Sequence, residues 1–249
     1  MRLQGFFLFL QAANAAFGGV PSTTPLRLIF GLFFPTLLKK TLSGMFPPKI
    51  VIVTAPSGSG KTTLVKQLLQ KCPRLAFSVS ACTRKPRPGE VNGKDYYFLT
   101  PGHFQELIAR DAFVEWEMVY PGKYYGTLRS EIERIQAEGA YPLVDIDVKG
   151  ALSILEAFPG QALSIFIKAP SEEALRERLL RRGTETEDTL RERLSKAAYE
   201  TDFAPRFHHT LVNDCLEVAG NELLCLVEDF LERAPEPAGC RPCPTSVSG

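Results

Sequence analysis

Ile50-Val51-Ile52-Val53-Thr54-Ala55-Pro56-Ser57-Gly58-Ser59-Gly60-Lys61-Thr62-Thr63-Leu64 decides the fold. A β-branched apolar run ends in a Pro/Gly/Ser loop, and a helical apolar pattern (Leu64, Val65, Leu68, Leu69) starts just after Lys61. That order predicts a strand, a phosphate-binding loop and a helix. Glycines let backbone N–H groups turn inward around an oligophosphate, and the helix N-terminus adds the positive end of its dipole. Lys61 is expected at the β- and γ-phosphates of ATP, and the Thr62 hydroxyl on a Mg²⁺ ion. The usual spacing is G-x-x-x-x-G-K-[ST], and Ala55 stands where the first glycine is expected. The expected ATP contacts are therefore Ala55, Pro56, Ser57, Gly58, Ser59, Gly60, Lys61, Thr62 and Thr63.

Outward from this stretch, strands and helices alternate. Apolar runs around Ile50, Leu143, Ile165 and Leu211 are separated by helical patterns, so a parallel central sheet between helical layers is expected: an α/β, three-layer fold. Pro142–Val148 reads as one strand, placing Asp145 and Asp147 two apart on the same face at its C-terminal end. Ser171 reads as the cap of the next helix. Thr83–Thr100 is polar, with Asn92-Gly93 as a hairpin signal, and Gly122–Thr127 reads as a turn.

The remaining chain is bounded by composition. With 249 residues, 29 Lys+Arg against 28 Asp+Glu and a net charge of +1, there is no basic field for nucleic acid. Six cysteines lack a secreted spacing, and a reducing, cytoplasmic setting is expected. Residues 1–44 contain no Asp or Glu, and neither of their apolar clusters reaches the length of a membrane span. A start at Met45, a targeting leader and a membrane-surface segment are the open alternatives; no stable membrane association is expected. Residues 234–249 are Pro/Ser/Gly-rich and expected to be disordered.

The acceptor is signalled by Ser80-Ala81-Cys82-Thr83-Arg84-Lys85-Pro86-Arg87-Pro88-Gly89-Glu90, followed by Tyr96. Two guanidinium forks and a phenol at this spacing can converge on a dianionic phosphate. With Phe113-Val114-Glu115-Trp116 and Tyr124-Tyr125-Gly126-Thr127, the chain from about Ile50 to Leu231 resembles a guanylate kinase, a nucleoside-monophosphate kinase. The resemblance implies a P-loop kinase fold with a GMP-binding insertion (about 80–128) and a mobile lid (about 178–193). It implies GMP phosphate at Arg84, Arg87, Tyr96 and Tyr125, and guanine at Glu115, Thr127 and Ser80. Glu90 matches a position near the acceptor. Asp145 and Asp147 would face the phosphates, reaching the Mg²⁺ of Thr62 through water. Arg178, Arg182 and Arg193 match lid arginines and, with Lys61 and Arg84, form the expected catalytic set. Asn213, with Arg182, falls beside ATP.

The implied reaction is phosphoryl transfer from ATP to GMP with Mg²⁺. A non-catalytic interaction module of the same fold is the rival from another class, disfavoured by Lys61. A sugar-phosphate kinase is disfavoured by Glu115 and Thr127. Ala81 and Cys82 depart from the family pattern, which commonly has hydroxyl residues there, and Cys82 near the acceptor raises the expectation of oxidation sensitivity.

Overall fold

The computed structural model describes residues 49–120, 122–181 and 187–233. The expected leader (1–44), Arg182 with residues 183–186 of the expected lid, and the expected disordered tail (234–249) lie outside the described residues.

Five parallel strands form the central sheet: β1 (Ile50–Thr54), β2 (Leu75–Phe77), β7 (Tyr141–Asp145), β8 (Ala162–Lys168) and β9 (His209–Val212), in the order β2-β7-β1-β8-β9. Residues Ile50 to Val53 of β1 are all fully buried, as a strand covered on both faces requires. Their side chains alternate between two apolar layers. Val51 and Val53 join Leu64 and Leu68 of α1 (Lys61–Lys71) and Leu223 and Val227 of α7 (Leu216–Glu232). Ile50 and Ile52 join Ile132 of α3 (Arg129–Ala137) and Ala151 and Ile154 of α4 (Val148–Ala157). Each such fully buried aliphatic side chain contributes about 1.5–3 kcal/mol.

A second, four-stranded sheet rises from the first in the order β4-β3-β6-β5. It comprises β3 (Ala81–Cys82), β4 (Tyr97–Phe98), β5 (Phe113–Tyr120) and β6 (Lys123–Leu128), with α2 (Pro101–Ala109) packed beneath through Phe104. Two further helices, α5 (Glu172–Leu180) and α6 (Glu187–Thr201), share an apolar cluster of Leu175, Leu179, Leu190 and Ala197. Ser171 caps α5, its hydroxyl accepting from Ala174 N at 3.1 Å.

Three expectations are corrected here. Of the expected turn Gly122–Thr127 only Gly122 lies in one; Lys123–Thr127 belong to β6, which pairs antiparallel with β5, with Glu115 opposite Thr127 and Glu117 opposite Tyr125. Asn92-Gly93 does not close a hairpin. The loop folds on itself, with Asn92 Oδ1 accepting from Phe98 N at 2.9 Å, and the flanking strands β3 and β4 run parallel. Asp147 is not on a strand with Asp145. β7 stops at Asp145, and Asp147 caps α4, its Oδ1 accepting from Gly150 N at 2.9 Å, because a short carboxylate satisfies orphan helix amides better than it extends a sheet.

Candidate active site

The loop after β1 turns through Gly58 (φ 95°) and Gly60 (φ 90°), left-handed conformations that only glycine adopts freely. A Cβ on Gly60 would collide with Asn213 Nδ2, which donates to Ser59 O at 2.8 Å. The loop is thus folded against the end of β9. Ala55, Pro56, Ser57, Gly58, Gly60, Lys61, Thr62 and Thr63 line a cavity of about 340 Å³, and Arg193 on α6 closes its far wall, donating to Ser57 Oγ at 3.0 Å. Ser59 is buried behind the loop and does not reach this cavity.

A second cavity of about 390 Å³ lies between the central sheet and the inner face of the β5–β6 ribbon. Ser80, Tyr96, Glu115, Tyr125, Asp145 and Asp147 line it, and so do Lys61 and Thr62, which it shares with the first cavity. The Lys61 ammonium is ion-paired with Asp145 and donates to Ile146 O at 3.3 Å. It therefore stands at the junction of the two spaces.

Glu115 is only 9 % exposed. Burial pushes its carboxyl up to about 7, and the Asp147 and Glu117 carboxylates push the same way; the neighbouring Thr127 hydroxyl and amide pull back only part of this. Glu115 Oε1 and the buried Thr127 Oγ1 have no hydrogen-bond partner among the described residues. Buried polar atoms left unpaired are costly, and of the two only Glu115 lines the cavity, so its Oε1 is open to a donor placed there.

Arg84 is gripped rather than free. Glu90 accepts from both its terminal nitrogens at 2.6 Å, and its guanidinium lies 4.8 Å from the Tyr96 ring and 5.5 Å from that of Phe98. This bidentate pairing, with the Arg87 amide at 2.7 Å, holds the Glu90 carboxyl down at about 2. Glu90 spends both oxygens on Arg84, so it orients the arginine rather than facing the cavity.

The comparisons agree with this architecture. The family model described as guanylate kinase matches residues 47–231. The chain belongs to the guanylate kinase family. It is 43% identical over 183 residues to a guanylate kinase of Bacteroides fragilis, covering 74% of this chain and 90% of the relative. It is 46% identical over 182 residues to that of Salinibacter ruber, covering 73% and 96%. Among solved structures, guanylate kinase from Anaplasma phagocytophilum superposes with a TM-score of 0.62 at 28% identity, over 78% of this chain and 91% of that one.

Within this guanylate kinase fold, several expected residues sit away from the cavities. Arg87 is exposed, and Thr127 is fully buried opposite Glu115 without reaching the cavity wall. Arg178 donates to Asn213 O at 2.9 Å and lies with Asn213 in a shallow depression beyond Gly60, not beside Lys61. The Cys82 thiol is fully buried, and burial pushes it up, which makes it a poor nucleophile and counters the expected oxidation sensitivity.

Sequence reasoning missed two groups on the first cavity, Lys196 and Glu200. Burial raises the Glu200 carboxyl, while Lys196, 3.7 Å away, opposes the shift. Their signal was present: residues 193, 196 and 200 share one helical face. Glu117 was likewise legible as the residue two beyond Glu115 on the same strand face.

Proposed function

We propose that this chain transfers the γ-phosphoryl group of ATP to the phosphate of GMP, giving ADP and GDP. The observation that carries this reading is the unpartnered Glu115 Oε1 in the wall of a cavity that ends at the phosphate-loop Lys61, with the Thr127 hydroxyl buried opposite it. Guanine presents N1–H and the 2-amino group side by side, and an ionised carboxylate accepts from both. Adenine presents a bare N1 at that place, which would face the same carboxylate as a second acceptor.

In the reaction, an oxygen of the acceptor phosphate attacks the γ-phosphorus, and the bond from that phosphorus to the β–γ bridging oxygen breaks. A phosphate near pH 7 is largely dianionic already, so no strong general base is required. Catalysis is then alignment and charge stabilisation. Lys61 leaves Asp145 for the phosphates, Arg193 enters from α6, and Arg84, held by Glu90, meets the acceptor phosphate with Tyr96 and Tyr125. Ser80 and Asp147 complete the acceptor wall, while Asn213 and Arg178 flank the nucleoside end of ATP.

The donor set fits a magnesium ion: the Thr62 hydroxyl is exposed in both cavities, and Asp145 and the free oxygen of Asp147 are hard carboxylate donors nearby. Thr62 would hold the ion, with Asp145 or Asp147 through water. When bound it would offset charge on the β- and γ-phosphates. The described cysteines Cys72, Cys82, Cys215 and Cys225 are all free thiols, which supports a reducing, cytoplasmic setting. No helix among the described residues is long and apolar enough to cross a membrane.

A coupled ADP-release assay across GMP, AMP, CMP and UMP tests the reading. GMP alone is expected to support rapid turnover. Preference for another nucleotide, or none for any, overturns it.

A further inference from the structure

Glu131 is an acid in an Arg/Glu-rich helix, yet it is 3 % exposed. It lies in the first turn of α3, where the helix dipole favours a negative charge. Its Oε1 accepts from Val79 N at 3.2 Å and from Arg134 Nη2 at 2.7 Å. Its Oε2 accepts from Tyr97 Oη at 3.0 Å and from Arg134 Nε at 3.1 Å. Burial alone would raise this carboxyl, but Arg134, the Val79 amide and the Tyr97 hydroxyl outweigh it, and it is held below the usual range. The carboxylate is therefore ionised and fully paired.

What it joins is informative. Ser78 N still bonds to Leu143 O of the central sheet at 2.9 Å, and by Ala81 the chain is in the second sheet, so Val79 marks the crossing between them. The next residue, Ser80, lines the acceptor cavity. On the other side, Tyr97 directly follows Tyr96, which lines the same cavity and meets Tyr125 edge-on with ring centroids 6.2 Å apart. Tyr97 N donates to Ser80 O at 2.9 Å, closing the ring of contacts. No other described residue bonds to both Val79 and Tyr97 through its side chain.

We propose that Glu131 is a positioning residue for the acceptor nucleotide, a carboxylate rivet that fixes Ser80 and Tyr96 relative to the phosphate loop. This rests on the acceptor cavity being the GMP site. Glu131 lines neither of the two cavities, so it acts on the acceptor wall through Val79 and Tyr97. Loosening it shifts the acceptor wall while leaving the loop of Lys61 and the first cavity as they are.

The experiment compares Tyr97→Phe, Glu131→Gln and the double variant by steady-state kinetics with each substrate varied in turn. Tyr97→Phe removes one donor and leaves the carboxylate with its other partners, so it keeps the fold even where Glu131→Gln does not. In Glu131→Gln the amide NH₂ faces donors that need an acceptor. The expected result is a KM for GMP raised about tenfold by misplacement of the wall, with kcat and the KM for ATP within about twofold. The double variant is expected to match Glu131→Gln alone, since both changes break one network. Equal rises in both KM values, or Tyr97→Phe with unchanged KM for GMP, overturn the proposal. Wild-type protein that fails to turn over GMP would instead refute the function on which it rests.

Discussion

Lys61 in the phosphate loop is ion-paired with Asp145, the terminal residue of the adjacent strand β7. The pair crosses the C-terminal edge of the sheet, the place where open α/β sheets bind ligands. Asp145 holds the ammonium at the junction of the two cavities. In the proposed reaction the ammonium would exchange Asp145 for the phosphates from this shared junction.

Lys61→Met removes that charge and little else. Turnover is expected to fall by at least about 10²-fold, the scale for losing one preorganised electrostatic contact. Circular dichroism should match wild type, and wild-type turnover in the folded variant refutes the role.

Under the proposed function Glu115 would give the base selection and a pH signature. Glu115→Gln is expected to lose more than about 10²-fold in kcat/KM for GMP and to narrow the gap to AMP. With its carboxyl at about 7 in the free protein, kcat/KM for GMP should fall as pH drops below that value. The acceptor phosphate also titrates near pH 6. That contribution is shared with Glu115→Gln, so the difference between the two profiles isolates Glu115.

The same group affects stability with the opposite sign. Its folded value lies above the ordinary carboxylate value, so the folded protein binds more protons between about pH 4.5 and 7. Stability should therefore decline as pH rises through that window, and Glu115→Gln should flatten the decline. Urea titrations at pH 5 and pH 7.5 on both proteins measure it.

Glu90→Ala frees Arg84 without touching the phosphate loop. KM for GMP is expected to rise about tenfold, with KM for ATP unchanged. Equal effects on the two substrates would place Arg84 elsewhere in the mechanism.

Gly60→Ala adds a Cβ where the backbone is left-handed and Asn213 is already seated. The conformation alone costs about 1–2 kcal/mol. Thermal melting should show a lower Tm, and KM for ATP should rise because Asn213 is displaced.

The central sheet was legible because strands buried on both faces leave continuous apolar runs, as in Ile50–Val53. The phosphate loop was legible because each of its residues has a local reason. Two strands of the second sheet were hidden: Ala81–Cys82 and Tyr97–Phe98 are too short to show a period of two. In β6, Gly126 sits where its partner strand leaves no room for a Cβ, so a residue chosen for close approach looked like a turn residue. Glu131 resembled a solvated ion-pair partner because Arg134 follows at helical spacing; its burial depends on Val79 and Tyr97, far away in sequence. Asp145 and Asp147 line one cavity, but not from one strand face as expected: one is at a strand end and the other is a helix cap.

The apolar cluster shared by α5 and α6 touches the phosphate loop at Gly58, where a Cβ would meet Leu175 and Leu179 at 2.9 and 3.0 Å. These two helices thus carry a miniature interior of their own, separate from the two large layers flanking the central sheet. They form a unit whose amide protons can exchange through local opening while the sheet stays protected. Nucleotide phosphates gripping the loop would brace Gly58 against Leu175 and Leu179, so occupancy at the loop reaches the helices as slower hydrogen exchange.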